Sequence, residues 1–238
     1  MKSSKNMDSK VIIYDDVCPL CKAYTSGFVQ AGWLRPENRI GFAEAPPELI
    51  RRIDVDRARH EIPLYDRATG ETLYGKEALF FIIGEAIPVF KPVFRLRLFR
   101  AIVFGLYQII TYNRRIIANS RPPANGFDCA PDFNGFYRWL YIGIMGVFAS
   151  LLLYRAAPVV DLSSTILALL TGIAIIRGCF IERFSMQTDY FGHLATVLFI
   201  IAMLNFSLQN FPLTVLATTV LGVWLFYRRI KGLRSQLW

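Results

Sequence analysis

From residue 136 to residue 227 the chain runs through four apolar stretches, 136–154, 159–176, 190–208 and 211–227. A helix that crosses a bilayer needs ~20 predominantly apolar residues, and each stretch lies near that length. The last is short and relies on Trp224, Tyr227 and the bases after them as interface anchors. The expectation is an all-α bundle of four transmembrane helices over residues 136–238. Composition agrees, because 54% hydrophobic residues and a mean hydropathy of +0.36 are too apolar for an ordinary soluble protein.

The connectors orient this bundle. The first (155–158) and third (209–210) are nearly uncharged, whereas the second holds Arg177 and Arg183 and the C-terminus holds Arg228, Arg229, Lys231 and Arg234. Cytoplasmic loops collect Lys and Arg, so a multi-pass cell-membrane protein of bacterial type with both termini in the cytoplasm is expected. Asn205, deep in the third stretch, is expected to join helices by hydrogen bonding. His193, near the start of that stretch, is expected to be an interfacial or bundle hydrogen-bonding group.

A net charge of +9 suits either nucleic acid or an anionic lipid surface, and its distribution decides between them. Residues 1–135 hold 19 Lys and Arg against 15 Asp and Glu, and residues 136–238 hold 8 against 3. Neither half forms a solid basic face, and the bases cluster beside apolar runs. Membrane lipid is therefore the expected partner, and nucleic acid is not. Residues 1–8 are polar and the first apolar run, 11–14, is too short for a signal-peptide core, so nothing upstream is expected to export the first domain.

Residues 11–84 alternate between strand and helix signals. A β-branched run at 11–15 reads as a buried strand and 19–31 as a helix stopped at Gly32. A strand follows around 39–43, then a helix over 47–59. Runs 62–66 and 71–74, joined by Arg67-Ala68-Thr69-Gly70, read as a hairpin, and 76–87 as a closing helix. A β-α-β-α-β-β-α order predicts an α/β, thioredoxin-like sheet. Residues 88–121 are basic and amphipathic, and the apolar part, 101–112, is too short to span, so it reads as a helix packed on the domain or lying in the lipid interface. Residues 1–121 thus form one domain, 122–135 a linker with Pro122-Pro123 in it, and 136–238 the bundle.

Two of the four cysteines make the motif Cys18-Pro19-Leu20-Cys21, between the first strand and the first helix. A helix N-terminus stabilises a thiolate through its unpaired N–H groups and positive dipole end, so Cys18 is the expected nucleophile. Cys21, one turn further in, is the expected resolving thiol. Pro19 suits the first helical turn. Asp15, three residues before Cys18, reads either as a proton acceptor for Cys21 or as a cap or turn residue.

The run Tyr14-Asp15-Asp16-Val17-Cys18-Pro19-Leu20-Cys21, with Tyr74-Gly75-Lys76-Glu77-Ala78-Leu79 and Asn113-Arg114-Arg115 downstream, resembles the DCC family of thiol–disulfide oxidoreductases, named for its D-x-x-C-x-x-C motif. The likeness covers residues 10–121. It implies a thioredoxin-like fold and a redox-active dithiol. Asp16 stands where a Gly commonly follows the first Asp, and a carboxylate there is expected to raise the pKa of Cys18. Given the fold, Pro63 at the start of the third strand is expected to be a cis-proline facing the dithiol.

The remaining chemistry is sparse. Zinc would need two further ligands near Cys18 and Cys21, and His60, His193, Cys129 and Cys179 are isolated, so no metal is expected. No P-loop, G-x-G-x-x-G, H-E-x-x-H or G-x-S-x-G occurs, and no cofactor is implied. The function expected is a membrane-tethered thiol–disulfide oxidoreductase whose cytoplasmic dithiol meets protein or small-molecule thiols and disulfides. The alternative is a non-catalytic membrane module, in which the first domain docks a partner and the bundle binds a lipid, a quinone or a membrane subunit.

Overall fold

The computed structural model describes residues 7–120, 130–156, 162–208 and 214–237. The chain divides into two compact units, Met1–Asp132 and Phe133–Trp238.

The first unit is a mixed four-stranded sheet with helices on both faces. Its strands are β1 (Lys10–Tyr14), β2 (Arg39–Gly41), β3 (Pro63–Asp66) and β4 (Thr72–Tyr74), and its helices are α1 (Pro19–Gln30), α2 (Pro47–Ile50), α3 (Val55–His60), α4 (Gly75–Ala86) and α5 (Arg97–Ala118). The sheet order is β2-β1-β3-β4. β1 pairs parallel with β2 and antiparallel with β3, and β3 pairs antiparallel with β4. Strand side chains alternate between faces, and β1 shows it directly. Ile12 joins Leu64, Phe28 and Ile82 under α1 and α4, while Val11 and Ile13 join Tyr65, Leu49 and Ile53 under α2 and α3. The hairpin turns at Gly70, whose φ of 77° explains the glycine there.

Two expected helices change in this unit. The helix expected over 47–59 is two helices, because Asp54 caps a new one: its carboxylate accepts from the Arg57 N–H at 3.0 Å, and its own N–H donates to the Tyr74 hydroxyl at 2.7 Å. The helix expected over 101–112 is α5, 22 residues long, with Thr111, Asn113, Arg114 and Ile116 buried toward its C-terminal end. Its ends are basic rather than apolar, which hides them from a hydropathy reading.

Among its described residues the second unit's regular elements are all helices: α6 (Gly135–Ala156), α7 (Leu162–Cys179), α8 (Phe184–Ser207) and α9 (Thr214–Leu237). Among the described residues two helices are long and apolar enough to cross a membrane, Gly135–Arg155 and Phe184–Ser207, and Ser164–Cys179 is apolar but shorter. Pairs of polar side chains join its helices. Asn205 of α8 donates to the Thr218 hydroxyl of α9 at 2.8 Å, Tyr141 of α6 shares a 2.8 Å hydrogen bond with Thr196 of α8, and Arg138 pairs with Asp189 at 3.3 Å. His193 is buried within α8 rather than near its start, because the helix begins at Phe184, ahead of the apolar stretch.

Candidate functional site

The end of β1 leads directly into the dithiol. Cys18 is the last extended residue before α1 (φ −81°, ψ 116°), and Pro19 occupies the first helical turn, where its missing N–H costs nothing. Asp15 holds the turn: one carboxylate oxygen accepts from the N–H groups of Val17 and Cys18, at 3.0 and 3.1 Å. This is the turn role read from sequence. Its other oxygen pairs with the guanidinium of Arg114, on α5, at 3.3 Å. Arg114 also donates toward the Cys21 sulfur at 3.6 Å. The carboxylate and both sulfurs lie within 4.8 Å of one another, which keeps the proton-acceptor role of Asp15 within geometric reach.

Both thiols are free and buried. The Cys18 thiol is held down to about 6, first because Cys21 can donate its S–H to the thiolate; burial opposes this, while the Cys21 N–H and the Arg114 charge add to it. Asp15 opposes ionisation more weakly. Cys21 is pushed strongly upward, by its hydrogen bond to Cys18 and then by burial, so it keeps its proton when Cys18 loses one. The carboxylate that bears on Cys18 is thus Asp15. Asp16 turns away to accept from the Ala43 N–H at 3.3 Å, and it packs so closely on Gly41 that a Cβ there would lie 3.1 Å from Asp16.

Pro63 does not take the expected part. The Ile62–Pro63 bond is trans, the ordinary preference of an X-Pro bond. Pro63 heads β3 opposite Tyr74, a position where a strand tolerates a residue without an N–H. On this trans backbone both polar groups of Ile62 are used, its N–H by the Tyr107 hydroxyl at 3.2 Å and its carbonyl by the Gly75 N–H at 3.0 Å. Ile62, not Pro63, shares with Cys21 the wall of a cavity of about 300 Å³.

That cavity lies between α1, α4 and α5, with Cys21 and Arg114 in its wall and Leu20, Tyr24, Leu79 and Leu106 among its apolar lining. Burial pushes Tyr24 upward and holds Tyr107 up at about 12, so both line the cavity as neutral phenols. Sequence reading did not single out Arg114 or this cavity. The signal available was the Asn113-Arg114-Arg115 run, but its contact with Cys21 spans 93 positions of chain.

Asp15, Cys18 and Cys21 are also three potential metal donors. The Arg114 guanidinium touches two of them, and a permanent cation in that position opposes a second one. His60 lies tilted against Tyr112, with ring centroids 5.8 Å apart. Cys179 ends α7 and is exposed, and Cys129 lies outside the described residues. No family model, characterised protein or solved structure matches this chain significantly.

Proposed function

We propose that this chain is a membrane-tethered thiol–disulfide oxidoreductase of the DCC type, with Cys18 as nucleophile, Cys21 as resolving thiol and a thioredoxin-like first domain. The observation that carries the reading is the opposed tuning of the two thiols: Cys18 ionises at about 6 while its neighbour is held protonated. A paired, ionised thiol at a helix N-terminus is the arrangement that exchange chemistry requires. The sheet order and the place of the motif between β1 and α1 support the fold reading, from which the trans Pro63 departs.

In the step proposed, the Cys18 thiolate attacks one sulfur of a substrate disulfide R–S–S–R′, forming an S–S bond to R–S and expelling R′–S⁻, which takes a proton from solvent. Cys21 then loses its proton, with Asp15 within reach to receive it, and attacks the Cys18 sulfur. The mixed disulfide breaks, R–S⁻ leaves and is protonated, and Cys18 and Cys21 end as a disulfide. Two electrons pass from the dithiol to the substrate, and the reverse sequence oxidises a substrate dithiol.

The membrane reading of the second unit rests on its two membrane-length helices. We read the four apolar stretches as four spans, and the bases near the second connector and the C-terminus favour both termini in the cytoplasm. There the glutathione pool would bias the dithiol toward reduction of substrates.

A second reading, a non-catalytic docking module, draws on one observation: Cys18 is only 3% exposed. Thiol trapping separates the two. In the full chain, Cys18 should alkylate faster than Cys21 at neutral pH, Cys18→Ser should abolish exchange, and Cys21→Ser should accumulate a mixed disulfide at Cys18. Equal, slow labelling of both thiols, with no trapped adduct, would favour the docking module.

A further inference from the structure

A continuous apolar surface runs along α5, uncovered within the first unit. Leu98, Ile102, Leu106 and Ile110 recur at every fourth position, which sets them on one helical face. They are 74%, 53%, 55% and 51% exposed. A contiguous stripe of this kind marks a surface that meets something other than water.

Charge identifies what covers it. Between Glu85 and Asp128 the sequence contains no acidic residue, while seven bases fall there: Lys91, Arg95, Arg97, Arg100, Arg114, Arg115 and Arg121. Four of the seven gather in residues 91–100, where the stripe begins, and Arg95 and Arg97 are exposed. Lys91 and Arg100 are paired with Glu85 and Glu77 of α4, so Arg95 and Arg97 are the exposed bases beside the stripe. An apolar row flanked by them makes the pattern of a helix lying in an anionic interface, with acyl chains under the stripe and phosphates against these two guanidinium groups. Chain length allows it, since 16 residues separate the end of α5 from the start of α6 and these reach up to ~50 Å when extended.

We infer that the N-terminal half of α5 lies in the headgroup layer of an anionic membrane, with Leu98, Ile102, Leu106 and Ile110 turned into the acyl chains. Leu106 and Ile110 also line the cavity beside Cys21. Its rim therefore opens on the lipid, and the disulfides or thiols that reach the dithiol by this route are apolar, membrane-partitioned ones. The inference rests on the membrane reading of the second unit, but docking itself does not need a working dithiol.

The test uses the full chain in vesicles of phosphatidylethanolamine and phosphatidylglycerol, with a photo-activated benzoylphenylalanine replacing Leu98, Ile102 or, for comparison, the exposed Glu71. Lipid adducts at positions 98 and 102 and none at 71 are expected. Arg95→Glu with Arg97→Glu should reduce capture at 102 several-fold, with the helical circular dichroism retained, and replacing phosphatidylglycerol by phosphatidylcholine should do the same to the parent chain. Adducts mapping to α6–α9, or a doubled mass, would show that the chain itself or a second copy covers the stripe and would overturn the inference. Unchanged capture after charge reversal would also overturn it. If the chain is extracted from the vesicles by alkaline carbonate, the membrane reading of the second unit fails instead.

Discussion

Arg114 and Arg138 are equally buried, at 7% exposure each, yet the two units use them differently. Arg114 meets the Asp15 carboxylate and the Cys21 sulfur, two groups from β1's end and α1 that are already fixed by the turn before Cys18. Arg138 meets Asp189 on α8 and lies 5.9 Å from the centroid of the Phe133 ring, and its Nε and Nη1 make no hydrogen bond among the described residues. Asp15 is enclosed, its side chain 11% exposed, whereas Asp189 is 31% exposed. A buried charge that is fixed from several sides can tune a neighbour. One paired with a half-open carboxylate mainly joins two helices.

The largest effect expected from this difference is at Arg114. Arg114→Met leaves the Asp15 carboxylate enclosed without its counter-charge, which typically costs about 3 kcal/mol. Unfolding in mild detergent measures that loss. The same substitution should move the pH of half-maximal Cys18 alkylation upward, because the guanidinium helps hold that thiol down. An unchanged profile would remove Arg114 from the electrostatics of the site. The sign also links to stability. A thiol ionising at about 6 in the fold, against 9.0 ordinarily, favours the folded state above pH 9, and that advantage is lost as pH falls through 6. The stability gap between the parent chain and Cys18→Ser should therefore narrow on acidification.

The matching change in the second unit, Arg138→Met, should cost less, about 1 kcal/mol, because water reaches Asp189 and screens it. A loss as large as that of Arg114→Met would mean that the α6–α8 pair is as enclosed as the dithiol's, and the contrast between the units would fail.

Legibility in the sequence follows the same divide. β1, α1, the β3–β4 hairpin and α4 are readable within a residue or two, since β-branched runs, Pro19 and Gly70 act locally. The α2–α3 break was written in Asp54, whose capping spacing to Arg57 is visible but was outweighed by the apolar pattern around it. Cys18, Cys21 and Asp15 were found because they sit within seven positions. Arg114 was not, because nothing in one chain marks which of many arginines folds back onto a sulfur. The apolar stretches foretold the helices of the second unit but not their ends: α8 starts at Phe184 because Ser185, Gln187 and Asp189 are helical though polar.

The smallest effect concerns Asn205, which is buried in α8. Its side-chain N–H donates to Thr218 across the α8–α9 contact, and its amide oxygen is buried with no hydrogen-bond partner among the described residues. Removing the amide loses one interhelical bond and relieves one unpaired acceptor, so the two terms oppose each other. Interhelical hydrogen bonds in membranes average about 0.6 kcal/mol by double-mutant cycle. Asn205→Leu, Thr218→Val and the double variant should give a coupling of about that size. A value well above it would make Asn205 the organising contact of α8 and α9, comparable to the charged pair at Arg138. A value of zero would leave α8 and α9 joined by close packing alone, as where Gly222 lies so near Ile201 that a Cβ would come within 2.1 Å of its end methyl.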